Sequence, residues 1–172
     1  MIIGIHPGGL RTSEYKRWDI VKFAVLAEKV QEKYGANVLI FIGPDEKDLI
    51  DKIKDLNQTN TFIYVTDTTL RQTIALIKKC DLFVSNDSGL MHVSTAVGTP
   101  TIGIFGPSDP KETGPWGDNN VSITKNLSCS PCVRSNHFLN CVDYPCLKNL
   151  SVEEVMDIIE KRLVSINYAK RW

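Results

Sequence analysis

The sequence predicts an α/β fold, a three-layer sandwich with a mainly parallel sheet between two layers of helices. Three observations predict it. Short apolar runs alternate with longer stretches whose apolar residues recur at helical spacing, from residue 1 to about residue 105. The short runs are continuously apolar, as strands buried on both faces are. Polar, Gly-containing or hydroxyl-rich turns follow four successive runs, where open α/β sheets bind ligands.

The elements follow in order. Residues 1–5 read as a first strand, running into the loop HPGGLRTSEYKRW. That loop holds two glycines, the hydroxyls of Thr12 and Ser13, and three basic side chains, Arg11, Lys16 and Arg17. Such a loop at a strand end can wrap a phosphate, although its spacing is not that of a Walker A loop. The plainer reading is a solvated basic loop. Trp18 is expected to start a helix, packing the loop against Phe23, Leu26, Ala27 and Val30, with a break at Gly35.

A second strand, 38–42, ends in GPDE. A carboxylate there can accept from ribose hydroxyls. The rival reading has Asp45 capping the next helix and Glu46 favouring its dipole. Leu49, Ile50, Ile53 and Leu56 give that helix its apolar face. After a polar loop at 57–61 come a third strand at 61–65 and a turn and cap at Thr66, Asp67 and Thr68. The helix beyond is expected to place Leu70, Ile74, Ile77 and Cys80 inward, Cys80 as a small hydrophobe.

The stretch 81–110, DLFVSNDSGLMHVSTAVGTPTIGIFGPSDP, is the centre of the reading. It is strand, polar turn, helix and strand, close to a minimal parallel crossover. Asp87 or Ser88 can cap the helix, whose end falls at Gly98 and Pro100. The turn lies at the amino end of a helix, whose first N–H groups and dipole favour an anion, and Gly89 lets a diphosphate come close. With GPSDP after the next strand, two polar turns are expected to form a crevice. A loop at 110–120, a short strand at 121–124 and an irregular segment follow. A last helix over 151–164 is capped by Ser151, and the tail 167–172 frays or packs on a partner.

The 172 residues suit one domain, 1–172, with 42% hydrophobic and 23% charged residues. Twenty basic residues balance twenty acidic ones, which argues against nucleic-acid binding by bulk charge. No apolar run is long enough to span a bilayer, and the N-terminus does not read as a signal peptide. A cytoplasmic location is expected, with peripheral membrane contact at GPWG or Trp172 left open.

Four of the five cysteines, Cys129, Cys132, Cys141 and Cys146, crowd into the segment 128–147. Their spacing is near that of a zinc ribbon, with His137 as a spare ligand. Structural zinc and reduced thiols stand as alternatives, with disulfides behind both.

HPGG with KRW, GPDE, NDSGLMH, GTPTIGIFGPSDP and TGPWG occur here in an order that resembles glycosyltransferase family 9, the ADP-heptose:lipopolysaccharide heptosyltransferases and their relatives. The resemblance runs from about residue 2 to residue 163. It implies a Rossmann-like domain, the C-terminal half of a GT-B fold, in which a nucleotide-sugar donor binds. By motif, Thr12, Ser13 and Lys16 would contact the donor diphosphate and Glu46 the ribose. Asp87, Ser88, Gly89 and Leu90 would surround the diphosphate and sugar, with His92 in support. The first loop reads PGG where many relatives have PGA, and Arg11 makes it more basic. Cysteine sets like this one recur in the family.

The reaction implied is inverting transfer of a heptose from an ADP-sugar to a lipopolysaccharide core acceptor. It needs no cofactor if Lys16 and the helix carry the charge on the leaving phosphate. The family's base, an Asp, belongs to an N-terminal acceptor domain, so no catalytic residue is expected in this chain. Alone, it is expected to bind donor weakly and transfer little. The alternative is a stand-alone nucleotide-sugar-binding module without catalysis.

Overall fold

The computed structural model describes residues 1–57 and 61–169. The loop expected over 57–61 and the tail expected over 167–172 fall partly outside those residues. Six strands form one sheet in the order β3-β2-β1-β4-β5-β6. They are β1 (Ile2–His6), β2 (Asn37–Phe41), β3 (Ile63–Val65), β4 (Leu82–Asn86), β5 (Thr101–Ile104) and β6 (Asn120–Ile123). Every neighbouring pair is parallel. The helices are α1 (Ile20–Tyr34), α2 (Asp48–Leu56), α3 (Leu70–Ile77), α4 (Gly89–Ala96), the single turns α5 (Pro110–Thr113) and α6 (Pro145–Lys148), and α7 (Val152–Ala169). The expected sandwich is what forms.

Strand alternation splits the core in two. Val38 and Ile40 of β2, with Ile3, Ile5 and Val84, face the layer built from α1, α2 and α7. Leu39 and Phe41, with Phe83, face the other side, against Ile77, Leu90 and Val93. Because both faces are covered, the central strands carry no polar alternation, and all five residues of β4 are buried.

Local chemistry sets the helix ends. Asp19 caps α1, its carboxylate accepting from the Val21 N–H at 2.8 Å. Gly35 ends that helix at φ 58°, where a Cβ would be strained. Ser151 and Glu154 cap α7 reciprocally, at 3.1 and 2.8 Å.

Several expectations need correction. Trp18 precedes α1 instead of starting it, because Asp19 is the better cap, but it packs as expected, buried edge-on against Phe23. Asp45 does not cap α2, since GPDE turns as a 3₁₀ helix, Pro44–Glu46, before that helix begins. Thr69, with Gln72, caps α3 in place of Thr68. Leu70 is therefore on the first turn of α3 and 63% exposed, not inward. The loop at 110–120 contains α5, and the irregular segment contains a 3₁₀ turn, His137–Asn140, and α6.

Among the described residues, no three His, Cys, Asp or Glu side chains gather to hold a metal ion. The spacing brings the cysteines near one another without converging them. Cys146 is drawn into the core by α6, while Cys129 sits exposed on a turn. No disulfide joins any of the five cysteines.

Candidate functional site

The strand order reverses between β1 and β4, and α1 and α4 pack on opposite faces of the sheet. The loops leaving these two strands therefore diverge and leave a crevice at their carboxyl ends. One side chain sets its width. Asn86, fully buried, donates to Pro7 O at 2.8 Å and Gly8 O at 3.0 Å and accepts from Trp18 N at 2.9 Å. The end of β4 thus holds both ends of the first loop.

On the β4 side, Ser88 occupies the N-cap of α4 but makes no side-chain cap bond. Its hydroxyl instead meets Ser85 Oγ at 2.9 Å. The first N–H groups of α4 are thus left to a ligand or to water. Asp87 accepts from Lys16 Nζ at 2.8 Å. Lys16 ends the 3₁₀ turn Arg11–Lys16, which bends at Ser13.

Glu46 closes the other side. It is buried, and its carboxylate accepts from Gly9 N at 2.5 Å and Gly43 N at 2.9 Å. Arg17 stands 3.9 Å from the same group and donates to Gly9 O. Its Nε is buried with no hydrogen-bond partner. Beneath them His6 Nδ1 donates to Phe41 O at 2.9 Å. Burial lowers the His6 pKa, with Arg17 acting the same way and Glu46 and the carbonyl opposing.

The resulting cavity is about 650 Å³, within the range of small-molecule sites. Thr12, Glu46, Ser88 and Gly89 line its polar part, and Phe41, Val65, Leu70, Leu90 and Val93 its apolar part. The expected site residues are thus gathered, with differences. Lys16 and Asp87 pair next to Ser88, outside the lining. Ser13 lies outside it too, and His92 is exposed, one turn into α4.

GPSDP does not line this cavity, which corrects the expected crevice. The strand order places the opening on the β1, β2 and β3 side of β4. The turn after β5 instead accepts N–H bonds at Pro107 O from Cys132 and Val133, at 2.8 and 3.0 Å.

Four participants escape the sequence reading. His6 and Asn86 carry no mark of burial in the sequence, and Leu70 reads as a core residue. Arg17 reads as one more phosphate-seeking cation, but it folds back onto Gly9 and Glu46. The one available signal is that His6 and Asn86 open the motifs HPGG and NDSGLMH.

Fold and site together define an open, doubly wound α/β domain with a crevice at the reversal of strand order. The sequence matches Glycosyltransferase family 9 (heptosyltransferase) over residues 1–142, and the chain belongs to that family. It is 35% identical over 168 residues to lipooligosaccharide heptosyltransferase 2 of Campylobacter jejuni, covering 93% of this chain and 51% of that protein. The structure of Escherichia coli ADP-heptose LPS heptosyltransferase II superposes with a TM-score of 0.80 at 26% identity, covering 95% of this chain and 46% of that one. A family 9 glycosyltransferase from Veillonella parvula superposes with a TM-score of 0.76 at 25% identity, covering 96% and 46%. The chain spans about half the length of these relatives. No described helix is long and apolar enough to cross a membrane.

Proposed function

We propose that this chain is the donor-binding half of an inverting glycosyltransferase, which transfers heptose from an ADP-sugar to a lipopolysaccharide core acceptor. The observation that carries the reading is the Lys16–Asp87 pair beside the uncapped amino end of α4, whose Ser88, Gly89 and Leu90 line a largely apolar cavity. A nucleoside diphosphate sugar asks for that combination: an apolar slot for a base and N–H groups with a cation for phosphates. The names of the relatives supply the sugar and the acceptor.

In this reading the base lies against Val65, Leu70 and Val93, and the ribose near Glu46. The diphosphate faces Thr12, Ser13, Lys16 and the N–H groups of Ser88, Gly89 and Leu90. Asp87 and His92 stand on the sugar side. An acceptor hydroxyl attacks the anomeric carbon from the face opposite the phosphate. The bond to the phosphate oxygen breaks, and nucleoside diphosphate leaves. Lys16 and the α4 dipole stabilise the charge gathering on that oxygen. The base that takes the acceptor proton belongs to an N-terminal acceptor domain. Transfer takes place in the cytoplasm, at the inner-membrane surface where a lipid-anchored acceptor lies. The four clustered cysteines act as reduced thiols, which metal analysis of protein purified without chelator tests.

Calorimetry with ADP, UDP and GDP tests the main reading. Selective ADP binding that is lost in Lys16→Ala, with the variant's circular dichroism unchanged, supports it. A folded protein that binds none of the three at millimolar concentration overturns it for this chain alone.

A further inference from the structure

The donor reading gives the segment 128–147 no task, yet that segment touches the loop bearing Lys16. We propose that it is a buttress for this loop, with the Tyr15–Phe138 ring pair as the positioning contact. The proposal rests on the reading of that loop as the diphosphate site.

The loop needs an outside support. Its 3₁₀ segment is broken by a bend at Ser13, with Ser13 N bonded to Leu10 O at 2.8 Å at its start and Arg17 N to Glu14 O at 2.9 Å at its end. Such turns have poor hydrogen-bond geometry and little cooperativity. Tyr15 lies in the second half of that segment, directly before Lys16. The fold fixes it from outside. The Tyr15 ring lies 4.4 Å from the Phe138 ring and 6.5 Å from that of Tyr144.

The segment is anchored firmly enough to serve. Cys132 and Val133 donate to Pro107 O, and Ser130 Oγ donates to Gly106 O, so its first half is tied to the end of β5. Its second half is pinned by buried Leu147, which packs so closely on Gly106 that a Cβ there would lie 2.6 Å from Leu147 Cγ. Just past the segment, Leu150 O accepts from Trp18 Nε1 at 3.0 Å and from Lys22 Nζ at 2.8 Å. One stretch of chain therefore grips the loop at its middle through Tyr15 and at its end through Trp18. Lys16 follows Tyr15 directly, so a ring that shifts carries the ammonium away from the phosphate position, and small misplacements of such groups weaken function strongly. Tyr15 and Phe138 are positioning residues in this scheme, since neither is placed against the ligand.

Amide hydrogen exchange and ADP calorimetry on the same variants test the idea. Phe138 is half-buried and outside the main core, so Phe138→Ala is expected to fold, with Tyr15→Ala as a second route to the same loss. Both are expected to speed exchange at the Ser13 and Arg17 amides about tenfold, leave the α4 amides unchanged, and weaken ADP binding about tenfold. Tyr15→Phe keeps the ring and is expected to match the parent protein. The double variant is expected to be no worse than either single one. Unchanged exchange at Ser13 and Arg17 in Phe138→Ala, or fully additive effects in the double variant, would overturn the buttress. Parent protein that fails to bind ADP overturns the donor reading alone, because the exchange data still decide the buttress.

Discussion

Lys16 and Asp87 form an ion pair, 2.8 Å from Nζ to Oδ2, whose halves sit in different surroundings: the carboxylate side chain is 6% exposed and the lysine 22%. The pair is therefore asymmetric. Removing the lysine strands a dry carboxylate, while removing the carboxylate leaves an ammonium that water can reach. Lys16→Met is expected to cost about 2 kcal/mol of folding stability after allowing for the partial exposure, and Asp87→Asn less than about 1 kcal/mol. Urea unfolding measures both. Equal costs would contradict the asymmetry.

Gly8 is held against Glu46 so closely that a Cβ would fall 2.2 Å from Oε2. The carboxylate cannot move without releasing the N–H groups of Gly9 and Gly43. Gly8→Ala is expected to destabilise by about 1–3 kcal/mol, as overpacking does. It should also weaken nucleotide binding by disturbing the cavity wall. Stability and ADP affinity both equal to the parent's would show that the site yields at no cost.

Trp18 joins the first loop to the chain just before α7. Its ring is 1% exposed, lies edge-on to Phe23 at 5.0 Å, and donates to Leu150 O. Trp18→Ala is expected to cost about 3–5 kcal/mol. Trp18→Phe keeps much of the packing but leaves a buried carbonyl to Lys22 alone, and should cost about 1–2 kcal/mol. Chemical denaturation of the two variants ranks them, and the reverse order would be inconsistent with this packing.

His6 gives the fold a pH dependence of known sign. Burial holds its folded pKa below the ordinary value of 6.5. Between the two values the unfolded chain carries a proton that the folded chain does not, so stability there rises with pH. The contribution is whole above 6.5 and is lost as pH falls through 6.5 toward the folded value. His6→Gln is expected to flatten that slope, read from urea midpoints between about pH 5 and 8. A slope unchanged in the variant would assign it to other groups.

Cys80 and Cys129 mark the extremes of thiol reactivity. Burial, with the charge of Asp81 adding to it, pushes the Cys80 thiol up to about 12. Cys129 is exposed. An aromatic disulfide reagent is expected to modify Cys129 promptly in the native protein and Cys80 only on unfolding. Peptide mapping of partly labelled protein distinguishes them, and early labelling of Cys80 would contradict its burial.

Sequence and tertiary structure divided the work unevenly. Periodicity determined the sandwich, because a strand buried on both faces must be apolar throughout and a helix must show one stripe. The same reasoning placed the strand-end turns, and Ser151 with Glu154 made the cap of α7 legible. Motif order singled out Thr12, Glu46, Ser88, Gly89 and Leu90, which line one cavity, and Lys16, which pairs with Asp87 beside it.

What only the tertiary structure decided is which strand ends are neighbours and where each polar side chain points. Strand order placed the cavity toward β2 and β3, away from GPSDP, and a one-dimensional pattern does not contain that order. The inward turn of Arg17 onto Glu46 and the three bonds of Asn86 follow from contacts between distant residues. Tyr15 and Phe138 are 123 positions apart along the chain, yet their ring centroids are 4.4 Å apart. Local propensity is read from neighbours in sequence, whereas a binding site is made by neighbours in space.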